Sequence, residues 1–448
     1  MDQFFNEIRK AVHQLELFML NSSVNLVIFE NSKLKTLNTL NGKGAAIRAK
    51  VDDKLGQAIV SDFRNPSDIA THIRKLALLG DSAEFSFSDA KTFPEMVLIH
   101  DTVKNKRIEN IVEDGQKAVE LIKERVPGVN VEFIGERTLE DVRIMTSRGA
   151  DAAYQRMFYS YGIMGEIIEN QNILRVAKYS KGIKKPVSVE TMADELSQNL
   201  IVGRKTVAFK PGKMTVLFAP AALSDVLMAF TEAIDGDMVA KGVSPLCQSI
   251  GITILNPQLT ILDDPWNTDG IMAAPFDDEG TPTSTKSIVE KGVLKNFLTD
   301  RKSAAILNQP PSGNGYRAVP FERYKSFSVG VSTEFSNLVV NAGDTPLDQL
   351  RQDIDLGVEI HQINGILLGD LIGGDFSGSL EVAFLIKNGE RVGRVKNAMI
   401  GGNFYRLFKN QLVALSAERE WTGTFGGCSG ALLLPYMRVD GVDISGTD

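Results

Sequence analysis

Asp263-Asp264-Pro265, Phe276-Asp277-Asp278-Glu279-Gly280, Gly374-Asp375-Phe376-Ser377-Gly378 and Lys387-Asn388-Gly389-Glu390 punctuate the stretch from Leu262 to Gly402. Gly, Asp and Asn accept the backbone angles of tight reversals, and Asp side chains bond amides two residues on. Short apolar runs lie between the blocks at near-regular spacing. Many short strands joined by turns predict a β-rich, barrel- or sandwich-like domain. Helical periodicity interrupts the C-terminal half only at 222–234 and 347–356.

Working outward, the 448 residues exceed one simple core and predict two domains. The Lys-, Pro- and Gly-rich stretch 205–213 marks the expected boundary, giving 1–210 and 211–448. The first half reads as an α/β region with a β-meander and helices, so the fold class is α+β. Residues 3–20 carry Phe4, Phe5, Ile8, Val12, Leu15 and Leu17 near helical spacing. From 24 to 61 the pattern turns to hairpins, broken by Asn41-Gly42 and Asp52-Asp53. Helical stripes return at 68–79, after Asn65-Pro66-Ser67, then at 108–125 and 189–199. Strand-like runs occupy 129–134, 142–146 and 153–168. The apolar window 214–230, interrupted by Pro220 and Asp225, reads as a strand followed by a helix, so no membrane span is expected.

Composition is that of a globular chain, 43% hydrophobic and 23% charged. A net charge of −7 disfavours direct nucleic-acid contact, which needs a basic face. Two cysteines, Cys247 and Cys428, build no disulfide framework. The N-terminus lacks a basic segment followed by an apolar one, and a cytoplasmic location is expected.

The blocks resemble, in order and spacing, the C-terminal half of the TldD/PmbA family of metallopeptidases. Gly44-Ala45-Ala46-Ile47-Arg48 with Lys54-Leu55-Gly56-Gln57-Ala58 is similar to that family's N-terminal strand pair. Ser287-Ile288-Val289-Glu290-Lys291-Gly292-Val293-Leu294 resembles its hairpin, and Ile400-Gly401-Gly402-Asn403 its turn. The resemblance implies a dimer, homo- or hetero-, acting on unfolded peptides in the cytoplasm. It also implies zinc in catalytic members, held by a His-Glu-x-x-x-His helix before a Gly-Asp pair and by a Cys near the C-terminus. A zinc protease needs three protein ligands, an open position for water and a Glu base.

Here Gly236-Asp237 is the pair, and the motif falls on Leu227-Met228-Ala229-Phe230-Thr231-Glu232. Neither histidine is present, and only Glu232 stands where a ligand would. The four histidines, His13, His72, His100 and His361, are far from ligand spacing. No metal and no cofactor are therefore expected. The departure resembles the PmbA (TldE) branch, whose members look like partners of a zinc-bearing TldD-like subunit. The preferred reading is a non-catalytic subunit, peptide-binding or a structural partner, with an extended peptide as the substrate.

Two alternatives stand beside it: a zinc-independent hydrolase using Cys428, in Phe425-Gly426-Gly427-Cys428-Ser429-Gly430, and a non-enzymatic modulator. The catalytic candidates are Glu232, Cys428 and His361; the last two carry structural readings beside the catalytic ones, a small turn residue and a hydrogen-bonded histidine. The binding candidates are Asp235 and Asp237, read as carboxylates at an unfavourable helix C-terminus, and Gly313 and Asn314 in a mobile lid. Asp277-Asp278-Glu279 lacks EF-hand spacing, so turn-stabilising carboxylates are expected there rather than a cation site.

Overall fold

The computed structural model describes residues 1–169, 172–184, 187–319, 323–366, 369–422 and 431–446. The chain opens with α1 (Asp2–Arg9) and the hairpin strands β1 (Gln14–Glu30), β2 (Lys33–Val51) and β3 (Lys54–Val60). Helices α2 (Pro66–Leu79), α3 (Asp101–Lys104) and α4 (Ile108–Arg125) follow. Strands β4 (Asn130–Thr146), β5 (Asp151–Glu169) and β6 (Asn172–Gly182) and helix α5 (Val189–Arg204) complete this part. The six strands form one antiparallel sheet in the order β3-β2-β1-β4-β5-β6.

The helix expected over 3–20 ends at Arg9, and Leu15 and Leu17 belong to β1. Both faces of that strand are buried, Leu15 and Leu17 against α1 and α2, Phe18 and Leu20 on the other side. A strand covered on both faces loses the alternation that identifies it, and its apolar run imitates a helix. The runs at 129–134 and 142–146 are likewise one strand, β4.

Asn41-Gly42 is no turn. The hairpin reverses at Asn31-Ser32, both at positive φ, and β2 runs straight through position 42. Gly42 is needed for close approach instead: a Cβ there would lie 1.8 Å from the Tyr324 carbonyl oxygen. Asp52-Asp53 turns as expected, with φ of 50° and 60°. The helices over 68–79 and 108–125 form, the first beginning at Pro66, where a missing N–H costs nothing.

The second part begins at β7 (Gly212–Phe218) and runs through α6 (Pro220–Ala233), α7 (Gly236–Ala240), β8 (Ile261–Asp263), β9 (Lys286–Glu290) and β10 (Val293–Leu294). Then come α8 (Arg301–Ile306), β11 (Gly315–Tyr316), β12 (Ser332–Thr333), β13 (Asn337–Val340), α9 (Leu347–Gln352) and β14 (Leu356–Asn364). The last elements are β15 (Asp375–Lys387), β16 (Glu390–Arg394), β17 (Ala398–Asn403), α10 (Phe404–Asn410), β18 (Leu412–Thr422) and β19 (Ala431–Gly446). Strands β7, β14, β15, β17 and β19 pair in a closed ring, because β19 returns to β7. From β19 the sheet continues outward through β13, β8, β9 and β10.

The expected β-rich barrel is present, with differences of detail. The helix over 347–356 stops at Gln352, since Leu356 already pairs with Lys387. Gly374 supplies the turn at φ 89°, but the strand after it starts at once, at Asp375. The 400–403 turn is the end of β17, where Asn403 caps α10 by accepting from the Arg406 N–H. Turns at Asn388-Gly389 and Lys291-Gly292 form as read, all four residues at positive φ.

Candidate functional site

Helix α6 lies at the centre of the second part, and its sequence explains why it is core. Leu227, Met228, Ala229 and Phe230 are all buried, and Phe230 stacks on Phe404 at 5.9 Å between ring centroids. Zinc at this helix would need imidazoles on a face open to water. Leu227, Met228, Ala229 and Phe230 instead present aliphatic and aromatic side chains to the core, and within 227–232 Glu232 is the one carboxylate. Among the described residues no group of three or more His, Cys, Asp or Glu side chains is arranged to hold a metal. Cys428 lies outside the described residues. The remaining donor set does not fit zinc.

The C-terminal end of α6 is acidic. Asp235 is not stranded against a helix C-terminus. It caps α7, its Oδ1 accepting from the Asp237 N–H at 2.7 Å, so its charge faces a favourable dipole end. Burial nevertheless pushes the Asp235 carboxyl up to about 7, and the carboxylates of Asp237, Glu232 and Asp300 add to the rise. Glu334 is pushed to about 7 by burial and then by Asp235 and Glu232. Burial also raises Glu232. Asp237 is partly offset by Lys241 at 3.4 Å. The structure thus gathers Glu232, Asp235 and Asp237 and adds Asp300, the N-cap of α8, and Glu334, just after β12, 63 and 97 positions beyond Asp237. No local motif signals those two.

His361 is elsewhere. It lines a polar cleft of about 460 Å³ between the first sheet and the barrel, at the N-terminal end of α6. Eleven residues of helix, about 17 Å, separate Ala221 in this cleft from Glu232, so the two candidates do not act together. His361 Nε2 is 2.8 Å from Oε1 of the fully buried Glu359, and Arg351 Nε donates to Oε2 at 2.7 Å. Burial pushes the Glu359 carboxyl up, but hydrogen bonds from His361 and Arg351 and the Arg391 charge hold it far below the usual range. Across the cleft Lys178 of β6 bonds Glu420 of β18 at 2.6 Å, and the Tyr436 hydroxyl donates to the same carboxylate. Sequence reasoning missed Glu359, Arg351, Arg391 and Lys178: Arg351 and Glu359 stand eight positions apart and join across the α9–β14 connection, while Arg391 and Lys178 arrive from β16 and β6.

The lid expected at Gly313-Asn314 is a strut. Asn314 is fully buried, and its Nδ2 donates to Asp263 Oδ2 at 2.8 Å and to the Glu334 carbonyl at 2.9 Å. Gly313 sits at φ 76°. Asp277 stabilises its turn as read, accepting from the Glu279, Thr281 and Gly315 amides. Glu279 does more. Its Oε1 accepts from Arg48 at 2.7 Å while Arg48 also grips Glu16 at 2.8 and 2.6 Å, all three buried. Phe276 enters the pocket of Phe18, Leu20 and Ile144. The acidic block therefore clamps the barrel to the first sheet.

A six-stranded antiparallel sheet clamped through buried ions to a mixed sheet that closes on itself as a five-stranded barrel, with α6 in the core, defines an α+β scaffold. The chain belongs to the PmbA/TldD family: residues 211–446 match the model of the PmbA/TldA metallopeptidase C-terminal domain. A Metalloprotease TldD homolog from Buchnera aphidicola is 27% identical over 225 residues, 49% of this chain and 45% of that protein. An uncharacterized Methanocaldococcus jannaschii protein is 27% identical over 282 residues, 62% of each. This chain thus spans less than two thirds of either relative. The crystal structure of TldE from Thermococcus kodakarensis superposes with a TM-score of 0.90 at 22% identity, covering 100% of both chains, and shares the fold. Among the described residues no helix is long and apolar enough to cross a membrane.

Proposed function

We propose that this chain is the non-catalytic, peptide-binding subunit of a metallopeptidase-type assembly in the cytoplasm. It forms a dimer, with itself or with a zinc-bearing TldD-like subunit that supplies the cleavage. The observation that carries this reading is the burial of Leu227 and Phe230 in the helix where a zinc peptidase places its ligands. The names of the relatives support the peptidase context, and the donor set argues against zinc in this subunit. An extended substrate has a natural neighbour in β6, the outermost strand of the first sheet, whose residues 176–179 line the polar cleft. An outer strand offers free backbone groups, and strand addition draws affinity from main-chain hydrogen bonds.

The test uses a labelled unfolded polypeptide, such as reduced and carboxymethylated α-lactalbumin. The purified chain is expected to bind it without cleaving it, and cleavage is expected once a zinc-bearing relative is co-expressed. Cleavage by the chain alone, abolished by a chelator, contradicts the proposal. Cleavage abolished by alkylation but indifferent to chelators moves the assignment to a Cys428 hydrolase.

A further inference from the structure

The face of the first sheet turned away from α4 and α5 carries two charged side chains in one cross-strand row. Glu136 of β4 pairs with Ser160 of β5, and Ser160 pairs with Lys181 of β6. Two strand spacings put the outer backbones about 10 Å apart, with only the short Ser160 between them. Lys181 is partly buried and has no hydrogen-bond or ion-pair partner among the described residues. Its amine is not one of the enclosed polar atoms, so it stays open to a ligand. Lys178, on the opposite face of the same strand, is instead held by Glu195 and Glu420 at 2.5 and 2.6 Å.

The row is flanked by apolar side chains. On one side stand Ile134, Gly162 and Tyr179, paired in the same way. Tyr179 lies across Gly162, where a Cβ would come within 2.9 Å of its ring. Ile134 and Tyr179 are 44% and 51% exposed. On the other side Phe158 is buried where the sheet meets the barrel. Exposed hydrocarbon gathered beside one unpaired amine suits a ligand that is apolar with a single polar group. Burial lowers Lys181 against the pull of the Glu136 charge, and burial raises Glu136 against the Lys181 charge and the Ser160 hydrogen bond. Both shifts favour the uncharged forms, an amine with its lone pair free and a carboxyl holding a proton.

We propose that Lys181 is a carbonyl-reactive amine that condenses with a small aldehyde or ketone bearing an apolar body, with Glu136 as the proton donor. The Nζ lone pair attacks the carbonyl carbon, a C–N bond forms, and a proton passes from nitrogen to oxygen to give the carbinolamine. The Glu136 carboxyl then protonates the hydroxyl, which leaves as water, and takes a proton back from the iminium nitrogen. The products are one imine and one water, with no oxidant or reductant consumed. A lysine serves as nucleophile when desolvation keeps it unprotonated. The apolar body lies over Tyr179 and Ile134. The inference does not rest on the peptide-binding reading, since it uses side chains on the sheet face rather than the free edge of β6.

The test treats the full chain at neutral pH with benzaldehyde and sodium cyanoborohydride, which reduces an imine to a stable secondary amine, and follows each lysine by peptide mass spectrometry. Lys181 is expected to be modified at least about tenfold faster than the exposed Lys33 and Lys35. Glu136→Gln is expected to slow Lys181 about tenfold and to leave Lys33 and Lys35 unchanged. Because Glu136 is partly buried, Tyr179→Ala, at a half-exposed position, serves as the second variant. It is expected to slow benzaldehyde at Lys181 about threefold, with formaldehyde reacting as in the parent. The proposal is overturned by Lys181 reacting no faster than Lys33 and Lys35, by a rate at Lys181 that Glu136→Gln leaves unchanged, or by a Tyr179→Ala variant that takes up benzaldehyde as the parent does.

Discussion

Two buried charge clusters in this molecule are built on opposite rules. Where the first sheet meets the barrel, anion and cation alternate: Arg48 between Glu16 and Glu279, and Arg156 against Glu140 at 2.5 Å, with both of the latter side chains at most 1% exposed. At the end of α6 burial is the first influence on the carboxyls of Glu232, Asp235, Asp300 and Glu334, and neighbouring carboxylates raise Asp235 and Glu334 further. The first arrangement fixes two layers in one relation. The second is retained although it opposes folding at neutral pH, as sites set up for binding commonly are.

The largest expected effect lies in the paired cluster. Glu140→Gln leaves the Arg156 guanidinium buried without its counter-ion and is expected to cost about 3–5 kcal/mol. A urea midpoint unchanged from the parent would show that the clamp contributes nothing. Next in size, Leu227→Ala is expected to lose about 2–4 kcal/mol, because the helix position is core and the cavity left behind collapses only in part. A loss well under 1 kcal/mol would mean that this face of α6 is not packed as described.

The acidic cluster predicts the opposite sign. The folded chain keeps a proton on Glu334 up to about pH 7, whereas the unfolded chain releases it in the ordinary carboxylate range. Stability from this group is complete below pH 4 and is lost as pH rises through 7. Glu334→Gln is therefore expected to stabilise by about 1–3 kcal/mol at pH 8 and to change little at pH 4. Thermal unfolding at both pH values checks this, and equal effects would remove the pH argument. The smallest effect belongs to the exposed pair Lys241–Asp237, where Lys241→Ala is expected to shift stability by less than about 0.5 kcal/mol.

The same contrast explains what could be read from the chain. Helices α2 and α4 were legible because one face meets water and their stripes keep a 3.6-residue period. The start of strand β1 was not, since both faces are covered over Leu15–Phe18 and alternation returns only from Leu20. Tight turns at Asp52-Asp53 and Asn388-Gly389 were legible from backbone preference, while Asn41-Gly42 misled because Gly served packing rather than reversal. Of the site, Asp235 and Asp237 stand side by side with Glu232 in the sequence. Glu334 and Asp300 join them only through tertiary folding, as Glu279 joins Arg48 across 231 positions. Arg48 was visible within the Gly44–Arg48 pattern, but its partner was not.

Helix α6 is a packing element, and on the proposed reading it grips no transition metal. Elemental analysis of the full chain, purified without chelators and dialysed against micromolar zinc, tests this most directly. Zinc far below one equivalent and an unfolding temperature indifferent to chelator are expected. One tightly held equivalent per chain, lost on Glu232→Gln, would contradict that reading.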